Sequence, residues 1–165
     1  MRIVVCVKHV PDMQSERRFE GGRLVRGEDD VLNELDENAI EAAVQLKESE
    51  EDAGREAEVV ALTMGPEDAE DSLMRALQMG ADRAFIVSDE FLEGSDVITT
   101  ASVLAVAIAK IGEERGPVDL VITGMASLDA MTSMLPGALA AKAHMPLLGL
   151  ARSMSVEDGT VTIER

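Results

Sequence analysis

The sequence predicts an α/β fold with a mostly parallel sheet of about five strands. Three observations lead there. The apolar runs Ile3-Val4-Val5-Cys6-Val7, Val59-Val60-Ala61-Leu62-Thr63, Ala84-Phe85-Ile86-Val87 and Leu120-Val121-Ile122-Thr123 show no polar alternation, so they read as strands covered on both faces. Helical patterns separate them. Gly65-Pro66, Gly80 and Gly116-Pro117 punctuate the junctions. Strands alternating with helices build βαβ units, and hence a parallel sheet.

The elements follow in order. After the first strand, residues 12–31 are polar and glycine-containing, and too long for an ordinary loop. They are either a functional excursion or a small hairpin. Leu35, Ala39, Ala42 and Leu46 recur at helical spacing, with Asn33 or Asp36 available as N-cap. The charged stretch from Glu48 to Glu58 reads as a solvated helix end and loop. Pro66 suits the first turn of a helix carrying Ala69, Leu73, Ala76 and Leu77, and Gly80 suits its C-cap. Ser95 or Asp96 can cap a third helix bearing Val97, Ala101, Leu104, Ile108 and Ile111. A fourth helix is expected from about Thr132 to Lys142, stopping before Pro146. Leu147 to Ser155 reads as a fifth strand. Asp158-Gly159 is a hairpin turn between Arg152–Val156 and Thr160–Ile163.

Charge excludes some functions. The 165 residues hold 15 Lys plus Arg against 32 Asp plus Glu, a net charge of −17. Nucleic-acid phosphates and anionic membrane surfaces both require basic side chains. With three Phe and no Trp or Tyr, base stacking has almost no platform. One cysteine allows no internal disulfide and no cysteine-based zinc site. With no signal-peptide pattern and no long apolar run, a cytoplasmic protein without direct membrane insertion is expected.

In parallel sheets, ligands bind beyond the carboxyl ends of the strands, where strand order reverses. The first strand runs into Lys8-His9-Val10-Pro11, without the glycines of a dinucleotide fingerprint, and no Walker A motif is present. Gly65-Pro66-Glu67-Asp68 places acids where a phosphate would be repelled. The loop from Gly124 to Pro136 has hydroxyls at Ser127, Thr132 and Ser133, and Asp129 as its only acid. On charge it is the best anion site in the chain. Asp129 either contacts a ribose or caps the helix, and Thr132 and Ser133 read more simply as caps. Met125, Met131, Met134 and Met145 suit adaptable packing. Cys6 suits a buried, unreactive thiol. His9 and His144 suit polar contacts at element ends. No triad, paired carboxylate or metal-ligand spacing emerges, so the residues point to a nucleotide-sized site without catalytic residues.

Five segments carry a resemblance. They are MRIVVCVKHVP from Met1, NELDENAIEAAV from Asn33, VVALTMGPEDAEDSLMRALQMGADRA from Val59, VDLVITGMASLD from Val118, and the VxxER-like end from Val161. Together they resemble the β subunit of electron transfer flavoproteins over essentially the whole chain, and GP-x6-LxxAL-x-MGADRA is the most specific piece. The resemblance implies an adenine-nucleotide α-hydrolase-like fold with strand order 3-2-1-4-5, as a single domain over residues 1–165. It implies an α-subunit partner that holds most of a redox-active FAD, and a structural AMP in the β subunit. It implies an electron carrier serving flavin dehydrogenases, not an enzyme.

Carried onto this chain, the AMP contacts implied are Cys6, Asn33, Glu34, Leu35, Asp36 and Met64. The fourth loop adds Gly124, Met125, Ala126, Ser127, Leu128, Asp129, Ala130, Met131, Thr132, Ser133, Met134 and Leu135. The chain departs from the family pattern at Ala130, where glycine is usual, and at Met134 and Leu135, which replace hydrogen-bonding residues. Some family forms carry a second FAD in place of AMP. Family β subunits also continue well beyond Arg165, so the carboxyl-terminal segment of the family is expected to be missing here, by truncation or natural shortening. Three further expectations follow. The isolated chain lacks flavin. Apolar surface around Met125 to Met145 and the terminal hairpin is exposed, favouring a homodimer or an α-type partner. Asp129→Asn leaves stability nearly unchanged. The alternative function is a stand-alone adenine-nucleotide-binding module of the universal stress kind.

Overall fold

A computed structural model describes residues 1–165. Its strands and helices in chain order are β1 (Arg2–Cys6), β2 (His9–Pro11), β3 (Phe19–Glu20), β4 (Arg23–Leu24), β5 (Asp30–Leu32), α1 (Glu34–Asp52) and β6 (Glu58–Met64). They continue as α2 (Glu70–Gln78), β7 (Arg83–Val87), α3 (Val97–Arg115), β8 (Leu120–Thr123), α4 (Leu135–Lys142), β9 (Ser153–Glu157) and β10 (Thr160–Glu164).

The four apolar runs form one parallel sheet in the order β7-β6-β1-β8. β1 is central, with Cys6 registered between Leu62 and Thr123. Alternate side chains enter opposite layers. Ile3, Val5, Val59 and Ala61 pack with α1 and α2, while Val4, Cys6, Val60 and Leu62 pack with α3 and α4. Both faces are covered, which explains the unbroken apolar runs.

Local signals account for most boundaries. Asp96 caps α3 by accepting the Thr99 N–H at 2.7 Å. Pro66 precedes a 3-10 turn over Glu67–Ala69 that leads into α2. β9 and β10 pair antiparallel around Asp158-Gly159, both with positive φ, as a tight two-residue hairpin turn requires. Met154 and Val156 of that hairpin pack on the core shared by α1 and α2.

Two expectations are corrected. No fifth strand joins the sheet: residues 146–152 form no strand, and Leu147, Leu148 and Leu150 are exposed. Pro146 lacks an N–H for a ladder, and Leu150 turns left-handed at φ 59°, which interrupts an extended run. β8 therefore pairs on one side only. The fourth helix begins at Leu135 rather than Thr132, because Met131 and Ser133 adopt φ of 50° and 52°, outside the helical region. Pro136 then falls in the first turn, where its missing N–H has no intrahelical partner to lose.

The amino ends of the strands are closed by charge. Glu58 accepts from Arg2 at 2.7 Å and from Arg83 at 2.6 Å, with Arg115 at 3.7 Å. The carboxyl ends face the loops considered next.

Candidate functional site

β1 and β8 end side by side, and α1 starts at the same level. Asn33 occupies the N-cap position of α1 but makes no capping bond. Its fully buried side chain crosses to the loop after β8 instead. Nδ2 donates to the Ala126 carbonyl at 2.9 Å, and Oδ1 accepts the Leu128 N–H at 3.1 Å. Asn33 is thus the N-cap residue the sequence offered, but its side chain holds a loop 93 residues away instead of capping the helix.

Asp36 is not the N-cap either. It lies inside α1, buried, and accepts the Lys8 N–H at 2.8 Å. Burial pushes its carboxyl up to about 6, against the pull of the Lys8 amide, the Asn33 side chain and the Gly124 amide. A side chain at Gly124 would meet the Leu35 carbonyl at 3.0 Å and run into the Asp36 carboxylate. Glycine is needed there for close approach of backbone to helix.

Asp129 is also not a helix cap, since α4 starts six residues later. Its side chain is only 1% exposed and pairs with Lys8 Nζ at 2.8 Å and with Arg26. Burial pushes its pKa up, but Lys8, Arg26 and Ser127 hold it well below the usual carboxylate range. Lys8 Nζ also lies 3.4 Å from Ser127 Oγ. This pairing, absent from the cap and ribose roles, changes what is expected of Asp129→Asn. The variant deprives two cations of their carboxylate, and thermal or urea unfolding should show a loss of about 1–3 kcal/mol.

The structure brings Asn33, Leu35, Asp36, Gly124, Ala126, Ser127, Leu128 and Asp129 together at one place. Cys6 ends β1 beneath them, buried, its thiol pushed up to about 12 by burial and then by Asp36. Burial and a raised pKa both disfavour the thiolate, the reactive form. Glu34 is exposed beside the cluster, and Met64 packs with the α3-side core at the end of β6. Met125, Ala130, Met131, Thr132, Ser133 and Met134 are exposed on the loop, and Leu135 packs into the core at the start of α4. Ala130 stands where the family usually has glycine, yet the left-handed positions are Met131 and Ser133.

Sequence reasoning did not single out Lys8, Arg17 or Arg26. Lys8 was findable, because it directly follows β1. Arg17 donates to the Leu128 carbonyl at 3.1 Å and Arg26 reaches Asp129, across 111 and 103 residues. No local pattern reports contacts of that span. A separate apolar groove of about 660 Å³ lies between α3 and the end of α4, near Val106, Ala109 and Lys142. It shares no residue with this cluster.

The fold and site define a three-layer α/β domain with a loop clamped over the ends of β1 and β8. The family model described as electron transfer flavoprotein domain matches residues 22–165. The electron transfer flavoprotein subunit beta of Mycobacterium tuberculosis (strain ATCC 25618 / H37Rv) is 41% identical over 99% of this chain and 61% of its own length. The protein of the same name from Megasphaera elsdenii is 36% identical, covering 100% of this chain and 61% of the relative. Protein FixA of Bradyrhizobium diazoefficiens is 35% identical, with 100% and 57% covered. The chain belongs to the electron transfer flavoprotein family, on its β-subunit side. It spans about 61% of the length of the β-subunit relatives.

Proposed function

We propose that this chain is the nucleotide-binding part of an electron transfer flavoprotein β subunit, with AMP held structurally beyond β1 and β8. The observation that carries the reading is that Asn33 clamps the loop after β8 while Asp36, one turn on, holds the Lys8 backbone at the end of β1. A buried amide thus fixes the loop after β8, and a buried carboxylate fixes the chain leaving β1 next to it. The donor set suits a phosphate ester: the hydroxyls of Ser127, Thr132 and Ser133, and the cations Lys8 and Arg26 beside a single carboxylate. The adjacent carboxyl ends of β1 and β8, where loops of a parallel sheet diverge, suit an adenosine.

With an α-type subunit holding the FAD, such a chain serves as an electron carrier from flavin dehydrogenases to the respiratory chain rather than as an enzyme. FAD supplies the redox chemistry, and this chain's share is to bind and to scaffold. The test is to denature the purified protein, identify released nucleotide by mass spectrometry, and titrate AMP calorimetrically. AMP released or bound, with no flavin absorbance, is the expected result. Bound FAD points instead to the form with a second flavin. An empty site that takes up neither nucleotide overturns the reading.

A further inference from the structure

Residues 12–29 span the open end of the sheet. The segment leaves at β2 and returns at β5, which pair antiparallel through His9–Leu32, Val10–Val31 and Pro11–Asp30. Both feet therefore stand at the end of β1. On one flank, Arg17 and Arg26 reach Leu128 and Asp129 in the loop after β8. On the other, Arg23 lies 3.6 Å from Glu93 and against Gly94, in the loop after β7. β7 and β8 are opposite edges of the sheet, so the segment crosses its whole width. The crossing piece is the small hairpin β3–β4, turned at Gly21-Gly22, both with positive φ.

Little apolar surface fastens this segment, Leu24 and Val25 being only half-buried. From Met13 to Asp29 no residue is buried, and Phe19 is 69% exposed. Its internal hollow, about 30 Å³, has room for little more than a water. Part-exposed charged contacts hold it down, and such contacts are individually weak. Arg26 is the strongest of them, because its partner Asp129 is buried. Asp129 holds Lys8 from the body and Arg26 from the segment at the same carboxylate. A phosphate beside Ser127 meets both cations already oriented, and bridges the segment to the body of the domain.

We propose that residues 12–29 form a strap over the nucleotide site, with Arg26 as the specificity-determining residue that ties the strap to the ligand's phosphate. The proposal rests on the crevice being an adenine-nucleotide site. Lys8 and Arg26 share one phosphate when the ligand is bound, and the strap tightens. Without it, the strap opens readily, because only Asp129 and a few exposed contacts hold it.

Limited trypsin digestion of the 165-residue chain reads strap opening at Arg17, Arg18 and Arg23, while calorimetry reads binding separately. Saturating AMP, or FAD if AMP does not bind, should slow cleavage at these sites about tenfold, since cleavage follows the open population. Adenosine, lacking the phosphate, should bind more weakly and leave cleavage unchanged. Arg26→Gln should speed cleavage of the free chain about fivefold. It should also abolish nucleotide protection and collapse the preference for AMP over adenosine. Arg26→Lys, which keeps the charge, should restore part of both. Nucleotide binding without protection overturns the strap and leaves the nucleotide site standing. So does an Arg26→Gln variant that is protected, and discriminates, like the wild type. Failure of both AMP and FAD to bind overturns the site and the strap together.

Discussion

Asp36 and Asp129 lie close to the same strand ends and titrate in opposite senses. The folded pKa of Asp36, about 6, stands above its ordinary 3.8, so the folded state holds the proton more tightly. The stability supplied by that proton is complete below the ordinary value and is lost as pH rises through about 6. Asp129 is depressed, so its contribution is present above the ordinary value and fades as pH falls below it. Urea unfolding from about pH 4 to pH 7 should therefore cost the wild type about 2–3 kcal/mol relative to Asp36→Asn. Parallel pH profiles for the two proteins would remove the burial argument for Asp36. At Gly124 the constraint is space rather than dihedral angle, since its φ is not positive. Gly124→Ala drives a methyl group against the Leu35 carbonyl and the Asp36 carboxylate. A loss of about 1–3 kcal/mol is expected, the usual cost of overpacking. A variant as stable as wild type would mean that the loop after β8 shifts freely.

At the scale of elements, legibility tracks how local each cause is. β1 and β6 were readable because strands sandwiched between helices have no polar alternation. The start of α3 was readable because Asp96 accepts a hydrogen bond from Thr99, only three residues on. That cap should be worth about 1 kcal/mol, so Asp96→Ala lowers the urea midpoint while Asp96→Asn hardly moves it. Equal losses in both variants would assign the effect to charge rather than to the hydrogen bond. The terminal hairpin was readable from Asp158-Gly159. Asn33 was rightly placed at the N-cap of α1, but its side-chain partners, Ala126 and Leu128, lie far along the chain and could not be read locally. The start of α4 was misread because Met131 and Ser133 adopt left-handed φ, which nothing in their residue types announces. The strap's contact with Asp129 was invisible for the same reason as Asn33's. The site was thus legible as a loop, and illegible as the clamp that holds it.

At the scale of the whole molecule, two opposing features decide association. Large apolar side chains are exposed at Met125, Met131 and Met134, within the region the sequence indicated, and at Leu147, Leu148 and Leu150 beyond it, whereas Met154 and Val156 of the terminal hairpin, also expected to be exposed, pack on the core instead. In addition, β8 has one unpaired edge, a feature sheets usually cover. Both features favour association with an α-type subunit or with a second copy. Against them stands a net charge of −17 on 165 residues, which makes two copies repel at long range. Salt screens that repulsion over about 10 Å at moderate ionic strength and leaves apolar contact intact. Self-association should therefore strengthen as salt is added, the reverse of an interface built on ion pairs. Sedimentation velocity at low and high salt measures it, with a shift from monomer toward dimer as the expected outcome. Leu150→Glu should shift the equilibrium back toward monomer, because it places a charge among the exposed leucines. A chain that stays monomeric at both salt levels would show that the exposed leucines and the bare edge of β8 are too weak to pair two copies.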